Sequence, residues 1–137
     1  MAWDDKNYFE GVKMKIATSY FGKLRKLPSD HVPVAICGKM MFPWSGLRYT
    51  KLAPKIGFFT EWKKNHDNDF YIKHFNEEVL ATLDPITVYK EIAAFVNDDS
   101  KTAVLMCYEK PSDFCHRHLV AEWLSKGLSC EVKELEI

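Results

Sequence analysis

Apolar and polar positions change period several times along this chain, and each change marks an element. KMKIATSY (13–20) alternates and closes on small polar residues, the pattern of a strand. VPVAICG (32–38) is apolar without interruption and ends on Gly, which fits a buried strand. TAVLMCY (102–108) is apolar throughout and lies between an Asn-Asp-Asp-Ser turn and a Pro-Ser-Asp turn, so it reads as a central strand covered on both faces. CEVKELEI (130–137) alternates and is rich in acids, as suits an edge strand whose charges discourage stray pairing. Between these runs the period becomes helical. DFYIKHFNEEVLATL (69–83) places Ile72, Phe75, Val79 and Leu83 on one face, and Asp84-Pro85 then reads as the N-cap and first residue of a helix burying Val88, Ile92, Phe95 and Val96. CHRHLVAEWLSKG (115–127) is a helix stopped by Gly127. Pro43, Gly46 and Pro54 make 39–56 a long loop, with a short helix at 56–64.

Strand, helix and strand alternate, so the expected class is α/β: a single Rossmann-like domain over residues 13–137, with a mostly parallel sheet of about four strands flanked by helices. Residues 1–12 read as an N-terminal extension. The first strand is expected in the middle, with the second on one side and the strand at 102 on the other. That order makes a switch point between the first strand and the one at 102, where ligands of open α/β sheets gather beyond the carboxyl ends. Two loops meet there, TSYFG (18–22) and CYEKPSDFCHRH (107–118).

A chain of 137 residues suits one domain with its own core. No apolar run approaches the ~20 residues that span a bilayer, so no membrane is expected as a partner. The start, MAWDDKNYFEG, is polar and acidic, unlike a signal peptide. Four widely spaced cysteines without an export signal imply reduced thiols and a cytoplasmic location rather than a disulfide framework. Charge adds an asymmetry: residues 11–64 hold eleven Lys or Arg against two acids, whereas residues 65–137 hold seven against fourteen. The first half therefore either offers a basic surface to something anionic or neutralises the second across the fold.

The chemistry concentrates in CYEKPSDFCHRH. With Ser112 or Asp113 as N-cap, Cys115 falls in the first helical turn, where unpaired N–H groups and the helix dipole favour an anion. Cys115 is then a candidate thiolate nucleophile, and the helix start a candidate anion cradle, with a small buried hydrophobe as the plain alternative. A helical wheel puts His116 near the centre of the apolar stripe formed by Leu119, Val120, Trp123 and Leu124, and His118 on the solvent side. His116 is the candidate base, or a core imidazole satisfied by a carbonyl. Arg117 suits a phosphate or carboxylate, or an ion pair with Glu109; Glu109 could instead orient it or act as general base. A metal set of Cys107, Cys115 and His116, with or without His118, has no zinc-finger spacing, so no metal or other cofactor is assigned.

The basic segment 39–64 interleaves cations with aromatic rings, as nucleotide or single-strand binding requires. Phe58, Phe59 and Trp62 are the rings expected in the core. Lys39, Trp44, Arg48 and Tyr49 are the expected contacts.

These residues carry a family likeness. An apolar strand ending in Cys107-x-Glu109, a short Pro-containing turn, then Cys115-His116-Arg117 opening a helix with Leu and Trp-Leu resembles the domain of unknown function 488 family. TSY after the first strand and KLAP in the loop are similar too, and the likeness runs from about residue 13 to the end. It implies a compact Rossmann-like fold with no settled activity. It carries over Cys107, Glu109, Cys115, His116 and Arg117, and also Ser19 and Tyr20. Many members close the second strand with an Asp-Val-Arg-like stretch; here Ile36-Cys37-Gly38-Lys39 stands instead, so if that arginine binds ligand in the family, either Lys39 or Arg48 substitutes for it here or the ligand differs. The expected function is binding of an anionic small molecule or nucleic acid at the Cys-His-Arg turn, either as an enzyme with a cysteine nucleophile, as a non-catalytic binding module, or as a metal-supported domain.

Overall fold

Strand β4 (Thr102–Cys107) has all six residues buried and occupies the centre of the sheet. The computed structural model describes residues 13–137; the segment read as an N-terminal extension and tested against a signal peptide lies outside the described residues. β1 (Lys15–Tyr20) pairs with β4 on one side, from Lys15 opposite Thr102 to Tyr20 opposite Cys107. β2 (His31–Ala35) pairs on the other, from His31 opposite Thr102 to Ala35 opposite Met106. β3 (Leu47–Arg48) extends the sheet beyond β2 and β5 (Lys133–Glu134) beyond β1, giving the order β3-β2-β4-β1-β5 with every pair parallel.

The expected strand order is corrected here: the strand at 102, not the first strand, is central. The most uniformly apolar strand takes the place where both faces and both edges are covered, whereas β1 opens with an exposed Lys15 and closes on a half-buried Tyr20. Among the described residues the sheet has five strands, against an expectation of about four. β3 falls inside the expected loop 39–56, and two residues carry no period to read. β5 keeps only two residues of the expected 130–137 run.

Among the described residues four α-helices cover the sheet: α1 (Ile56–Asn65), α2 (Asn68–Glu78), α3 (Pro85–Val96) and α4 (His116–Leu128). At α3 the local chemistry is as the sequence reads. Pro85 takes the first turn, the Asp84 carboxylate accepts from the Thr87 N–H at 2.9 Å, and Asn97 ends the helix at φ 56°. The run expected at 69–83 divides into α2 and a 3₁₀ turn at Leu80–Thr82. Val88, Ile92, Leu105, Phe75 and Leu124 meet in the main core, while Phe95, expected inside, is half exposed. The start of β1 is held by Tyr89, whose hydroxyl accepts from the Met14 N–H at 2.7 Å and donates to the Met14 carbonyl at 3.0 Å.

Helix α4 differs from expectation at both ends. Cys115 is itself the N-cap, in extended backbone, so no Ser or Asp side chain caps the helix. Gly127 lies inside the helix, which stops at Ser129 with φ 54°. Its value is closeness: a Cβ at Gly127 would lie 2.3 Å from the Cβ of Pro85, where α4 crosses the start of α3. No helix among the described residues is long and apolar enough to cross a membrane.

Candidate functional site

The carboxyl ends of β2 and β4, with α1 and the start of α4, enclose a cavity of about 820 Å³. Cys107 reaches it as the last residue of β4, and Cys115 and His116 reach it from the start of α4. All three are at least nine-tenths buried, so they form its closed end. Phe59, Trp62, Tyr71 and Phe114 line a wall of packed rings, with Trp62 5.3 Å from Tyr71 and 5.7 Å from Phe114. Exposed Lys39 and Lys63, together with Glu109, supply the charged lining.

At the closed end, His116 Nε2 lies 2.8 Å from the Ile36 carbonyl oxygen. A carbonyl can only accept, so Nε2 carries the proton. Burial pushes the imidazole down to about 4, against the Ile36 hydrogen bond, and the ring is neutral near pH 7. Nδ1 is then an unprotonated lone pair, and Cys115 Sγ stands 3.8 Å from it. The sulfurs of Cys107 and Cys115 meet and are joined as a disulfide, against the expectation of free thiols. Both sulfurs and a ring nitrogen of His116 lie within 4.8 Å of one another.

Arg117 turns the other way. It is fully buried and does not line the cavity. Its Nε and Nη2 donate to the two carboxylate oxygens of Glu134, each at 2.9 Å, and Nη1 donates to the Glu109 backbone carbonyl at 2.6 Å. Nη1 also lies 3.1 Å from Cys107 Sγ, and the guanidinium stands over the Tyr20 ring at 5.8 Å. A charge this deep requires a fixed counter-charge. Burial would raise the Glu134 pKa, but hydrogen bonds from Arg117 and Thr18 and the guanidinium charge outweigh it, and the carboxyl sits below its ordinary value. The partner is therefore Glu134 from β5 rather than the Glu109 carboxylate.

The expected site residues divide into two groups. Lys39, Cys107, Glu109, Cys115 and His116 share the cavity. Ser19, Tyr20, Trp44, Arg48, Tyr49 and Arg117 do not line it. Trp44 packs on Phe21 and donates to the Leu47 carbonyl at 3.1 Å. Arg48 donates to the Gly38 carbonyl at 2.8 Å and so ties down the loop after β2. Tyr49 is a core residue whose hydroxyl donates to Glu91. Ser19 is buried, and its hydroxyl has no hydrogen-bond partner among the described residues. His118, expected in solvent, is half-buried with its Nε2 enclosed, and burial lowers its pKa.

Sequence reasoning missed Trp62 as a lining ring, because its helix read as core. It also missed Cys37, which lines the cavity beside Gly38 with its thiol pKa raised by burial. Glu134 had a signal: it shares the parity of buried Val132, two residues before it on an alternating strand.

No curated protein and no solved structure significantly matches the chain. The family model DUF488-N3a, described as the active DUF488-N3 subclade, matches residues 23–128, and the chain belongs to the DUF488 family.

Proposed function

We propose that this chain is an enzyme that binds an anionic, ring-bearing ligand of the nucleotide class, free or at the end of a nucleic acid, and acts on it through Cys107, Cys115 and His116. One observation carries the reading: a nucleotide-sized cavity joins a wall of aromatic rings and two lysines to a buried cluster of two cysteine sulfurs and an imidazole. Flat rings give a base a stacking surface, and Lys39 and Lys63 give its phosphate a counter-charge. Cys115 Sγ, 3.8 Å from His116 Nδ1, is the sulfur we assign to the attack in the reduced, metal-free protein. Glu109, in the same cavity, is the carboxylate available to move a proton. Arg117 holds the motif in shape and does not clamp the ligand.

The test is a panel of mononucleotides and short single strands titrated against the reduced full chain. Trp62→Ala is expected to weaken binding about 5- to 150-fold, the loss of one stacking contact of about 1–3 kcal/mol. Cys115→Ser is expected to keep binding and lose turnover. Unchanged turnover removes Cys115 from the chemistry. Binding without turnover in the wild type leaves a binding module, and no binding to any member of the panel overturns the reading.

A further inference from the structure

His116 presents Nδ1 as a buried lone pair, because Nε2 donates to the Ile36 carbonyl. In the disulfide form Cys115 Sγ, 3.8 Å away, has no proton to give, so among the described residues this lone pair has no donor. The Cα atoms of Cys107 and Cys115 stand 7.6 Å apart, wider than the roughly 4.4–6.8 Å usual for a disulfide. The backbone is that of two thiol side chains converging on a shared point, with an imidazole nitrogen aimed at the same place.

We propose that, in the reduced protein, Cys107 Sγ, Cys115 Sγ and His116 Nδ1 hold one zinc ion, with its fourth position open to the cavity. Two thiolates and an imidazole are the soft donor set that zinc takes, and three protein ligands with a vacant fourth place are the pattern of a reactive zinc rather than a structural one. The surroundings fit. A metal-bound histidine ordinarily gives its other N–H to a carbonyl or carboxylate, as His116 does to Ile36. Arg117 Nη1, 3.1 Å from Cys107 Sγ, favours the thiolate form of that sulfur. Charge also closes: two thiolates balance the dication, and Glu134 already balances Arg117, so the buried end carries no net charge. Binding releases two thiol protons and needs no change of oxidation state; a disulfide must first take two electrons from an added dithiol. The inference rests on the proposed function only for what approaches the fourth position, where the ligand or a water would meet the metal instead of a free sulfur.

The full chain, reduced with excess dithiol, loaded with zinc and freed of loose metal by gel filtration, is expected to retain about one zinc per chain by elemental analysis. Cobalt(II) in its place is expected to give sulfur-to-metal charge-transfer absorption and the visible bands of a tetrahedral centre. Cys107→Ser, Cys115→Ser and His116→Gln should each lower retained zinc at least about tenfold, and Cys130→Ser should leave it unchanged. Should a ligand variant fail to fold, wild-type alkylation decides: zinc should shield Cys107 and Cys115, and a chelator should expose both. Reduced, folded wild type with less than about a tenth of a zinc per chain overturns the proposal. So does zinc retained by Cys115→Ser, or a Cys107–Cys115 link that survives the dithiol. Nucleotide binding without zinc sinks the metal alone, while zinc without nucleotide binding sinks the ligand reading alone.

Discussion

His116 and Arg117 are neighbours in sequence and belong to different regions of the molecule. His116 faces the cavity with two sulfurs and a wall of rings. Arg117 faces the opposite edge and bonds β5 through Glu134, with Thr18 completing the carboxylate's shell. Each residue of helix rotates the side-chain direction by ~100°, so a three-residue motif at a helix start cannot aim every member at one ligand. The motif is thus two devices that meet where Arg117 Nη1 touches Cys107 Sγ and the Glu109 backbone carbonyl. A motif contiguous in sequence can serve chemistry with one residue and architecture with the next.

The largest expected effect separates the two. Arg117→Met removes a fully buried charge and leaves Glu134 without its partner, which typically costs about 3–5 kcal/mol of stability. Urea unfolding should show that loss, with nucleotide binding by the remaining folded fraction within about twofold of wild type. Arg117→Met combined with Glu134→Leu should recover much of the stability, because both charges then leave together. A folded Arg117→Met variant that cannot bind nucleotide would return the guanidinium to the ligand site and break the comparison.

The two regions should also respond to acid in different pH windows. His116 has a folded-state pKa of about 4, below the ordinary ~6.5, so the unfolded chain takes up its proton first as pH falls. Its contribution is complete above ~6.5 and is lost progressively down to ~4, on the order of 3 kcal/mol. Glu134 is lowered too, but from the carboxylate range, so its contribution persists above ~4.5 and is lost only below it. Because burial lowers His118 as well, the slope is read as the difference between wild type and His116→Gln. In the metal-free reduced protein that variant should flatten stability between pH 6.5 and 4, and an unaltered slope would mean that His116 is not the buried neutral imidazole.

How far this division could be read in advance depended on range. Local signals were legible: the period of TAVLMC, the Asp84-Pro85 helix start and the convergence of Cys107, Cys115 and His116 all rest on residues within about ten positions of each other. The strand order was not, because β1 and β4 neighbour each other in either arrangement and only the greater apolarity of β4 decides between them. Arg117's partner lies 17 residues away, and the alternation of 130–137 marks the face Glu134 takes but not the cation it meets. Tyr49 and Trp62 exchanged roles for a related reason. Both lie in an aromatic, basic stretch, and whether a ring enters the core or the cavity is set by helices packed from elsewhere, not by its neighbours in sequence.

The smallest effects test where the cavity's charge ends. Lys39 lines the cavity, whereas Arg48 points its guanidinium at the Gly38 carbonyl, and its side chain does not line the cavity. Lys39→Ala should weaken nucleotide binding by about two- to tenfold and make what remains less sensitive to salt, since an exposed charge acts through a screened field. Arg48→Ala removes two hydrogen bonds from Nη2 that steady the loop carrying Lys39, to the Gly38 carbonyl at 2.8 Å and the Cys37 carbonyl at 3.5 Å, of which the shorter is worth about 0.5–1.5 kcal/mol if felt in full. Any weakening should therefore stay within about tenfold, with the salt dependence intact, because no charge has left the ligand's surroundings. Titrations at low and moderate ionic strength separate the two variants by slope even where their affinities coincide. A flattened slope in Arg48→Ala would place that cation at the ligand after all and extend the site across the loop toward β3.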